Sequence, residues 1–159
     1  MRDGPEDRLR NLGYELPAVP RPAGSYVPTA LTRGTILFTA GQLPFKEGRL
    51  AYTGKVGAGV SVEDAKEAAR LCALNALAAV KAEIENLENV RRVVKVTGYV
   101  ASAAGFNNQP EVMNGASDLI GELFGDQGLH ARTAVGVAEL PFDAPVEVEL
   151  VVELAALQQ

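Results

Sequence analysis

The most regular pattern of apolar and polar residues lies near the end of the chain. From residue 146 to residue 154 the side chains alternate with a period of two, which is typical of a half-buried strand. Arg132 to Val137 is rich in β-branched residues and predicts a strand just before it. Pro141, Asp143 and Pro145 interrupt the chain between the two. The sequence therefore predicts two strands joined by a turn, the second with an apolar face (Val146, Val148, Leu150, Val152, Leu154) and a largely acidic one (Glu147, Glu149, Val151, Glu153).

Two longer segments have the three- and four-residue spacing of amphipathic helices. The first begins at Ser61, which with Asp64 resembles a capping box, and it is predicted to run to about Glu85. Its apolar face is rich in alanine, so the helix can lie close against a sheet, and Cys72 falls in that face with a packing role. The second helix is predicted to begin near Pro110, a good first helical residue, and to end at Gly125.

Shorter patterns complete the predicted order of elements. They are a short helix at 7–12, an extended segment at 16–22, strands at 26–31, 35–39 and 93–101, and a short strand at 49–53. Pro28 gives the first strand an edge character, because proline cannot donate to a ladder. Strand-rich ends and two long helices predict an α+β sandwich in which the helices pack on one face of a mixed sheet.

Composition excludes several classes of protein. The 159 residues suit one domain, and a formal net charge of −5 disfavours a protein whose main task is to hold nucleic acid. With one cysteine and one histidine, neither an intrachain disulfide nor a tetrahedral zinc site is expected. No stretch is apolar enough to span a membrane. We therefore expect a metal-free cytoplasmic protein.

The two C-terminal strands carry the candidate chemistry. If their turn centres on Leu140 and Pro141, Glu147 lies opposite Ala134 and one diagonal step from Arg132 on the same face. An arginine beside a carboxylate can bind an acidic substrate and position a water. It can equally be a cross-strand ion pair, and the spacing by itself favours that simpler interpretation.

Five segments follow one another along the chain: TAGQLP from Thr39, AARLCALNALAAVKAEI from Ala68, VVKVTGYVAS from Val93, NGASDLIGELFG from Asn114 and HARTAVGVAELPFDAPVEVEL from His130. In this order they resemble the RidA/YjgF family, also described as endoribonuclease L-PSP. The resemblance covers residues 24–153, with 1–23 as an N-terminal extension and 24–159 as one domain, and it is strongest with the subgroup of longer members. It implies a chorismate mutase-like fold with the order ββ(β)αβαββ.

The resemblance implies a homotrimer with three clefts between subunits and no cofactor. In deaminating members the arginine that matches Arg132 holds the carboxylate of a 2-iminoacid or enamine, and the glutamate that matches Glu147 positions water. Such members hydrolyse reactive intermediates without metal, flavin or nucleotide. The resemblance gives Tyr26, Gly41, Asn114 and the backbone of Ala134 as further candidates for substrate binding. His130 is a candidate for a different reason, because it lies two residues before Arg132 and on the same face if the strand begins that early.

Two departures from the family pattern leave other functions open. Ala134 replaces a cysteine and Ala40 replaces a serine, so the cleft loses a thiol and a hydroxyl. A non-catalytic binder of small carboxylates is therefore the alternative to a deaminase. A single-strand endoribonuclease is less favoured, because the chain is acidic and lacks a basic groove with interleaved aromatics. His130, a lone histidine, is more often a packing residue than an acid or base.

Overall fold

The computed structural model describes residues 3–155 and contains every helix and strand that the sequence predicts. Short 3₁₀ turns lie at Leu87–Asn89, Gly125–Gly128 and Pro141–Asp143. The first strand begins only after Pro28, three residues later than predicted, and the strand predicted at 49–53 pairs over two residues. The elements are α1 (Pro5–Asn11), β1 (Thr29–Leu31), β2 (Ile36–Thr39), β3 (Phe45–Lys46), β4 (Arg49–Leu50), α2 (Val62–Ile84), β5 (Val90–Ala101), α3 (Gln109–Phe124), β6 (Ala131–Val137) and β7 (Val146–Leu154).

The main sheet has five strands in the order β1-β2-β7-β5-β6. β5 and β6 run parallel, and the other neighbours are antiparallel. The hairpin predicted between β6 and β7 is therefore wrong, because β5 lies between them. Residues 138–145 cross the end of β5 instead: Ser102 N donates to Val137 O (3.1 Å) and Ala101 N donates to Pro145 O (2.9 Å).

One face of the sheet carries α2 and α3, and the buried core lies between the layers. The alternate valines and leucines of β7 point into this core, and the glutamates of β7 point to the opposite, open face, as predicted. The Ser61 hydroxyl caps α2 by accepting from Asp64 N (3.1 Å). Cys72 is fully buried, its thiol donates to Val146 O (3.4 Å), and burial raises the pKa of that thiol well above its usual value, which fits the predicted packing role.

The N-terminal segment is packed against the domain. Leu9 of α1 is buried in the core. The Glu6 carboxylate accepts from Lys81 Nζ (2.8 Å) and Leu87 N (3.0 Å), and Arg8 Nη1 donates to Leu123 O (3.0 Å). These contacts join α1 to both long helices. No helix within residues 3–155 has the length and hydropathy needed to cross a membrane, and the same residues contain no cluster of metal-ligating side chains.

The two long helices approach closely at Gly115, and this contact gives a stability prediction. A Cβ on Gly115 would lie 1.9 Å from the backbone oxygen of Lys66, which cannot move without shifting α2. We expect Gly115→Ala to lower the free energy of unfolding by about 3 kcal/mol, measured by urea denaturation. Gly121→Ala in the same helix is the control, since its Cβ meets no atom within 4 Å, and it should be neutral or stabilising. Equal effects of the two substitutions would contradict the close approach.

Candidate functional site

Arg132 lies on the edge strand β6 and faces the helical layer, because its partner in β5 is the buried Val96. Its Nη1 donates to Asn114 Oδ1 (2.8 Å) and Ser117 Oγ (3.2 Å), and its Nη2 donates to Pro110 O (3.2 Å). All three acceptors belong to α3 and are neutral. A guanidinium has five N–H groups. Within residues 3–155 three of them have acceptors, so two are left to bind a ligand.

Asn114 is itself held in one orientation. Its Nδ2 donates to Glu111 Oε2 (3.2 Å), and Glu111 Oε1 accepts from Lys66 Nζ (2.7 Å). The bond from Lys66 also lowers the pKa of the Glu111 carboxyl, so this carboxyl stays an acceptor. With its amide nitrogen fixed in this way, Asn114 must turn its carbonyl oxygen toward Arg132. The predicted candidate therefore contacts the arginine in the same chain.

The remaining two candidates on this side flank Arg132. Both ring nitrogens of His130 are engaged: Nδ1 lies 2.6 Å from Gly128 O and Nε2 lies 2.9 Å from Ser117 Oγ. His130 therefore lies behind Ser117 as seen from the guanidinium. Ala134 shares the face of Arg132 and packs against the core. An alanine side chain has no polar atom, so at position 134 only the backbone can form a hydrogen bond with a ligand.

Glu147 belongs to a second group of candidates on the open face of the sheet. The segment with Gly41 runs along β7, because Gln42 N donates to Val148 O (2.8 Å) and Val148 N donates to Gln42 O (3.0 Å). The Glu147 carboxylate occupies the space that a side chain at position 41 would fill: a Cβ there would lie 2.0 Å from Glu147 Oε1. Glycine at this position thus lets the carboxylate take this orientation, and a larger residue would make the glutamate side chain turn away.

A cleft of about 490 Å³ opens beside Glu147. Tyr26 is on its wall, where its hydroxyl accepts from Ala23 N (3.1 Å). Phe142 closes another side, with its side chain exposed and its backbone in the left-handed region (φ 59°), which is unfavourable for a bulky residue. The cleft is otherwise lined mainly by small and apolar residues, among them Val27, Ala40, Gly41, Leu43 and Pro141.

The environment of Glu147 changes its acidity. Burial raises the pKa of its carboxyl above the usual value, and the negative charge of Glu149, two residues along the same face, raises it further. Glu149 itself accepts a hydrogen bond from Tyr99 Oη (3.2 Å). A carboxylate with a raised pKa is a better base toward water than an exposed one.

The raised pKa predicts how Glu147→Gln changes stability with pH. A carboxyl whose pKa is higher in the folded state stabilises the fold below its unfolded pKa, and that contribution is lost as pH rises through the folded pKa. Glu147→Gln should therefore raise the free energy of unfolding at pH 8 by up to about 1 kcal/mol and change it little at pH 4. Urea titrations at the two pH values measure the difference. The same gain at both values would contradict this assignment.

The relation predicted between Arg132 and Glu147 is wrong. The two residues were expected on one face and one diagonal step apart, but β5 separates their strands and their side chains point to opposite faces. Two strand spacings across the sheet and an offset of three residues along the strands put their backbones roughly 14 Å apart. Within residues 3–155 they form no ion pair with each other, so the simpler structural interpretation of the pair is wrong as well.

Comparison with known proteins identifies the family. The family described as "YjgF/chorismate mutase-like, putative endoribonuclease" matches residues 6–154. The chain belongs to the YjgF family. It is 46% identical to the protein TCP17 of Trypanosoma cruzi over 147 residues, which are 92% of this chain and 91% of that protein. The recognition of this family from the sequence, and its chorismate mutase-like α+β fold, are confirmed.

Solved structures of the YjgF family give the same result. A protein of unknown function from Agrobacterium tumefaciens is 47% identical with a TM-score of 0.87, and the match covers 94% of this chain and 91% of that one. A "putative endoribonuclease" from Shewanella oneidensis is 34% identical with a TM-score of 0.93, over 96% and 100% of the two chains. The product of the Escherichia coli yjgF gene, 24% identical over 85% and 92%, shares the fold with a TM-score of 0.61.

Sequence reasoning missed the groups that hold Arg132. Ser117 and the Pro110 carbonyl were not predicted, although Asn114 and Ser117 stand three residues apart and therefore share a face of α3. That spacing was the signal available in the sequence. Phe142 was also missed, because the segment around it reads as a turn and nothing local indicates that its side chain lines a cleft.

Proposed function

We propose that this protein is a RidA-like hydrolytic deaminase that converts reactive 2-iminoacids, and the enamines in equilibrium with them, to 2-oxoacids and ammonia. The observation that carries the proposal is the state of Arg132. Its guanidinium is fixed by three neutral acceptors and keeps two N–H groups for a ligand. A planar cation held in this way is suited to the carboxylate of a small metabolite.

The reaction needs few groups, and the two proposed catalytic residues supply them. Arg132 binds the substrate carboxylate and so orients the C=N carbon. Glu147 accepts a proton from a water molecule, whose oxygen attacks that carbon to form a carbinolamine. Glu147 passes that proton to the nitrogen, then takes the proton of the carbinolamine hydroxyl and delivers it to the same nitrogen. As the second transfer occurs the C–N bond breaks, the oxygen becomes a carbonyl, and ammonia leaves. The raised pKa of Glu147 suits a group that takes up a proton and returns it.

A complete site requires more than one copy of the chain. Arg132 and Glu147 face opposite sides of one sheet, so the proposed site takes the arginine from one subunit and the glutamate from another, in a homotrimer with three clefts. Large apolar side chains on the open sheet face support a covering partner: Phe38 of β2 and Val135 of β6 are 45% and 41% exposed. Each cleft would also include Asn114 from the first subunit and Tyr26 with Gly41 from the second.

The direct test is turnover of a freshly generated 2-iminoacid. An amino-acid oxidase produces the imine, and its decay is followed with and without the purified protein. We expect accelerated decay and a matching increase in 2-oxoacid and ammonia. If the imine decays no faster with folded and assembled protein than in buffer alone, the deaminase proposal is wrong.

A non-catalytic binder of small carboxylates is the second candidate. It is favoured by Ala40 on the wall of the Glu147 cleft and by Ala134 beside Arg132, since both leave the site with fewer polar side chains. A rise in melting temperature with 2-ketobutyrate and no imine turnover would identify a binder. Accelerated imine decay would exclude it as the whole function.

A further inference from the structure

A series of hydrogen bonds leads away from Arg132 into the protein. Arg132 Nη1 donates to Ser117 Oγ (3.2 Å), Ser117 Oγ lies 2.9 Å from His130 Nε2, and His130 Nδ1 lies 2.6 Å from Gly128 O. A carbonyl oxygen can only accept, so Nδ1 carries a proton. In the neutral imidazole Nε2 is then an acceptor, and the Ser117 hydroxyl donates to it while its oxygen accepts from Arg132. With a neutral imidazole, each group in the series therefore has one role.

We propose that Ser117 and His130 are positioning residues that hold the Arg132 guanidinium at the angle needed to bind a carboxylate. This inference rests on the proposed function, in which Arg132 binds the substrate. His130 thereby has a different role from the substrate contact that its place two residues before Arg132 suggested. It acts on the ligand only through Ser117 and Arg132, and neither residue exchanges a proton with the substrate.

The far end of the series is anchored in rigid backbone. Gly128 is buried at the end of the 3₁₀ turn that joins α3 to β6, and a Cβ there would lie 2.6 Å from Ile120 O. The carbonyl that accepts from His130 is therefore fixed against α3. Ser117 and Asn114 are both on α3, so a single helix positions the two groups that accept from Nη1 of Arg132. Such preorganisation reduces the ordering cost of binding a ligand.

Removal of the series should weaken binding and leave the chemical step unchanged. Without the Ser117 hydroxyl, Arg132 keeps its bonds to Asn114 and Pro110 but loses one of the three that orient its guanidinium. A hydrogen bond to a charged group contributes enough for a roughly tenfold change in affinity. Because the carboxylate is held equally in ground state and transition state, the loss appears in KM and not in kcat. Ser117→Ala should therefore raise KM about tenfold with kcat within about twofold.

Two substitutions of His130 test the contributions of its two ring nitrogens separately. The amide oxygen of glutamine reaches the position of Nε2, so His130→Gln can still accept from Ser117. Asparagine is shorter and reaches only toward Gly128, so His130→Asn loses the acceptor. We expect His130→Asn to raise KM about as much as Ser117→Ala and His130→Gln to restore most of the affinity. The pair has similar polarity, which makes each variant the folding control of the other, checked by thermal unfolding.

The deciding experiment is a double-mutant cycle. KM and kcat for a 2-iminoacid and the calorimetric Kd for 2-ketobutyrate are measured for wild type, Ser117→Ala, His130→Asn and the double variant. If His130 acts through Ser117, the double variant is no weaker than Ser117→Ala. Effects that multiply, or equal losses in His130→Gln and His130→Asn, would overturn the proposal.

The two measurements separate this inference from the proposed function. A weaker Kd in the single variants without any imine turnover by the wild type would refute the deaminase and support the positioning role. Normal turnover with KM and Kd unchanged in both single variants would refute the positioning role and leave the deaminase intact. A wild-type protein that binds no carboxylate would refute both.

Discussion

Replacing Arg132 with alanine is expected to lower kcat/KM for a 2-iminoacid by about 100- to 1000-fold. The substitution removes the cation that is proposed to bind the substrate carboxylate. It leaves Asn114 Oδ1, Ser117 Oγ and Pro110 O without their donor, but all three lie where water can replace it. Steady-state kinetics on freshly generated imine measure the change, and thermal unfolding establishes that the variant is folded.

Two further arginine variants make this measurement specific. Arg132→Lys keeps the charge but not the planar fork, so its kcat/KM should lie between wild type and Arg132→Ala. Arg33→Ala is the matched control for loss of one positive charge, because Arg33 is exposed in the loop between β1 and β2, at the other edge of the sheet. Full activity in Arg132→Ala, or an equal loss in Arg33→Ala, would remove the carboxylate-binding role.

Mixing two inactive variants is expected to restore activity. Glu147→Gln should lower kcat by about 100-fold or more, as loss of a general base does, and Arg132→Ala is nearly inactive for a different reason. If each cleft takes Arg132 from one subunit and Glu147 from another, some clefts in mixed assemblies contain both native residues. With random assembly of equal amounts, about a quarter of the clefts are intact. Joint denaturation and refolding, followed by an imine assay, measures the recovery.

The control for this experiment is the same mixture without denaturation, in which subunits stay in their original assemblies. It should have no more activity than the separate variants. Refolded mixtures that stay inactive, while refolded wild type recovers, would show that Arg132 and Glu147 do not meet in one cleft between subunits.

The sequence predicted the elements well because the information for each is local. In residues 146–154 the alternation determines which side chains are buried, whatever the neighbouring strand is. The Ser61 cap likewise depends on residues three positions apart. Which strands become neighbours in the sheet is not determined by local sequence. A break with Pro141 and Pro145 is compatible both with a tight hairpin and with a crossing over the end of β5, and the choice depends on where α3 places β6.

For the candidate site, too, the sequence indicated individual residues but not the distant groups that surround them. Family resemblance selected Arg132 and Glu147, and the structure places each in an environment suited to a proposed role. The acceptors of Arg132 lie on α3, about twenty residues earlier in the chain, and the neighbour of Glu147 is Gly41. These contacts exist only once the helices and loops have packed on the sheet. A pattern of neighbouring residues along the chain does not contain them.

The contact between Gly41 and Glu147 also limits how this family can diverge. Any side chain at position 41 would occupy the space of the Glu147 carboxylate, so the two positions are coupled sterically. In chains with alanine or serine at position 41, the glutamate must turn its carboxylate away from that position or be replaced by a smaller residue. An alignment of the family sorted on these two positions would thus separate chains that can place the carboxylate against the loop from chains that cannot.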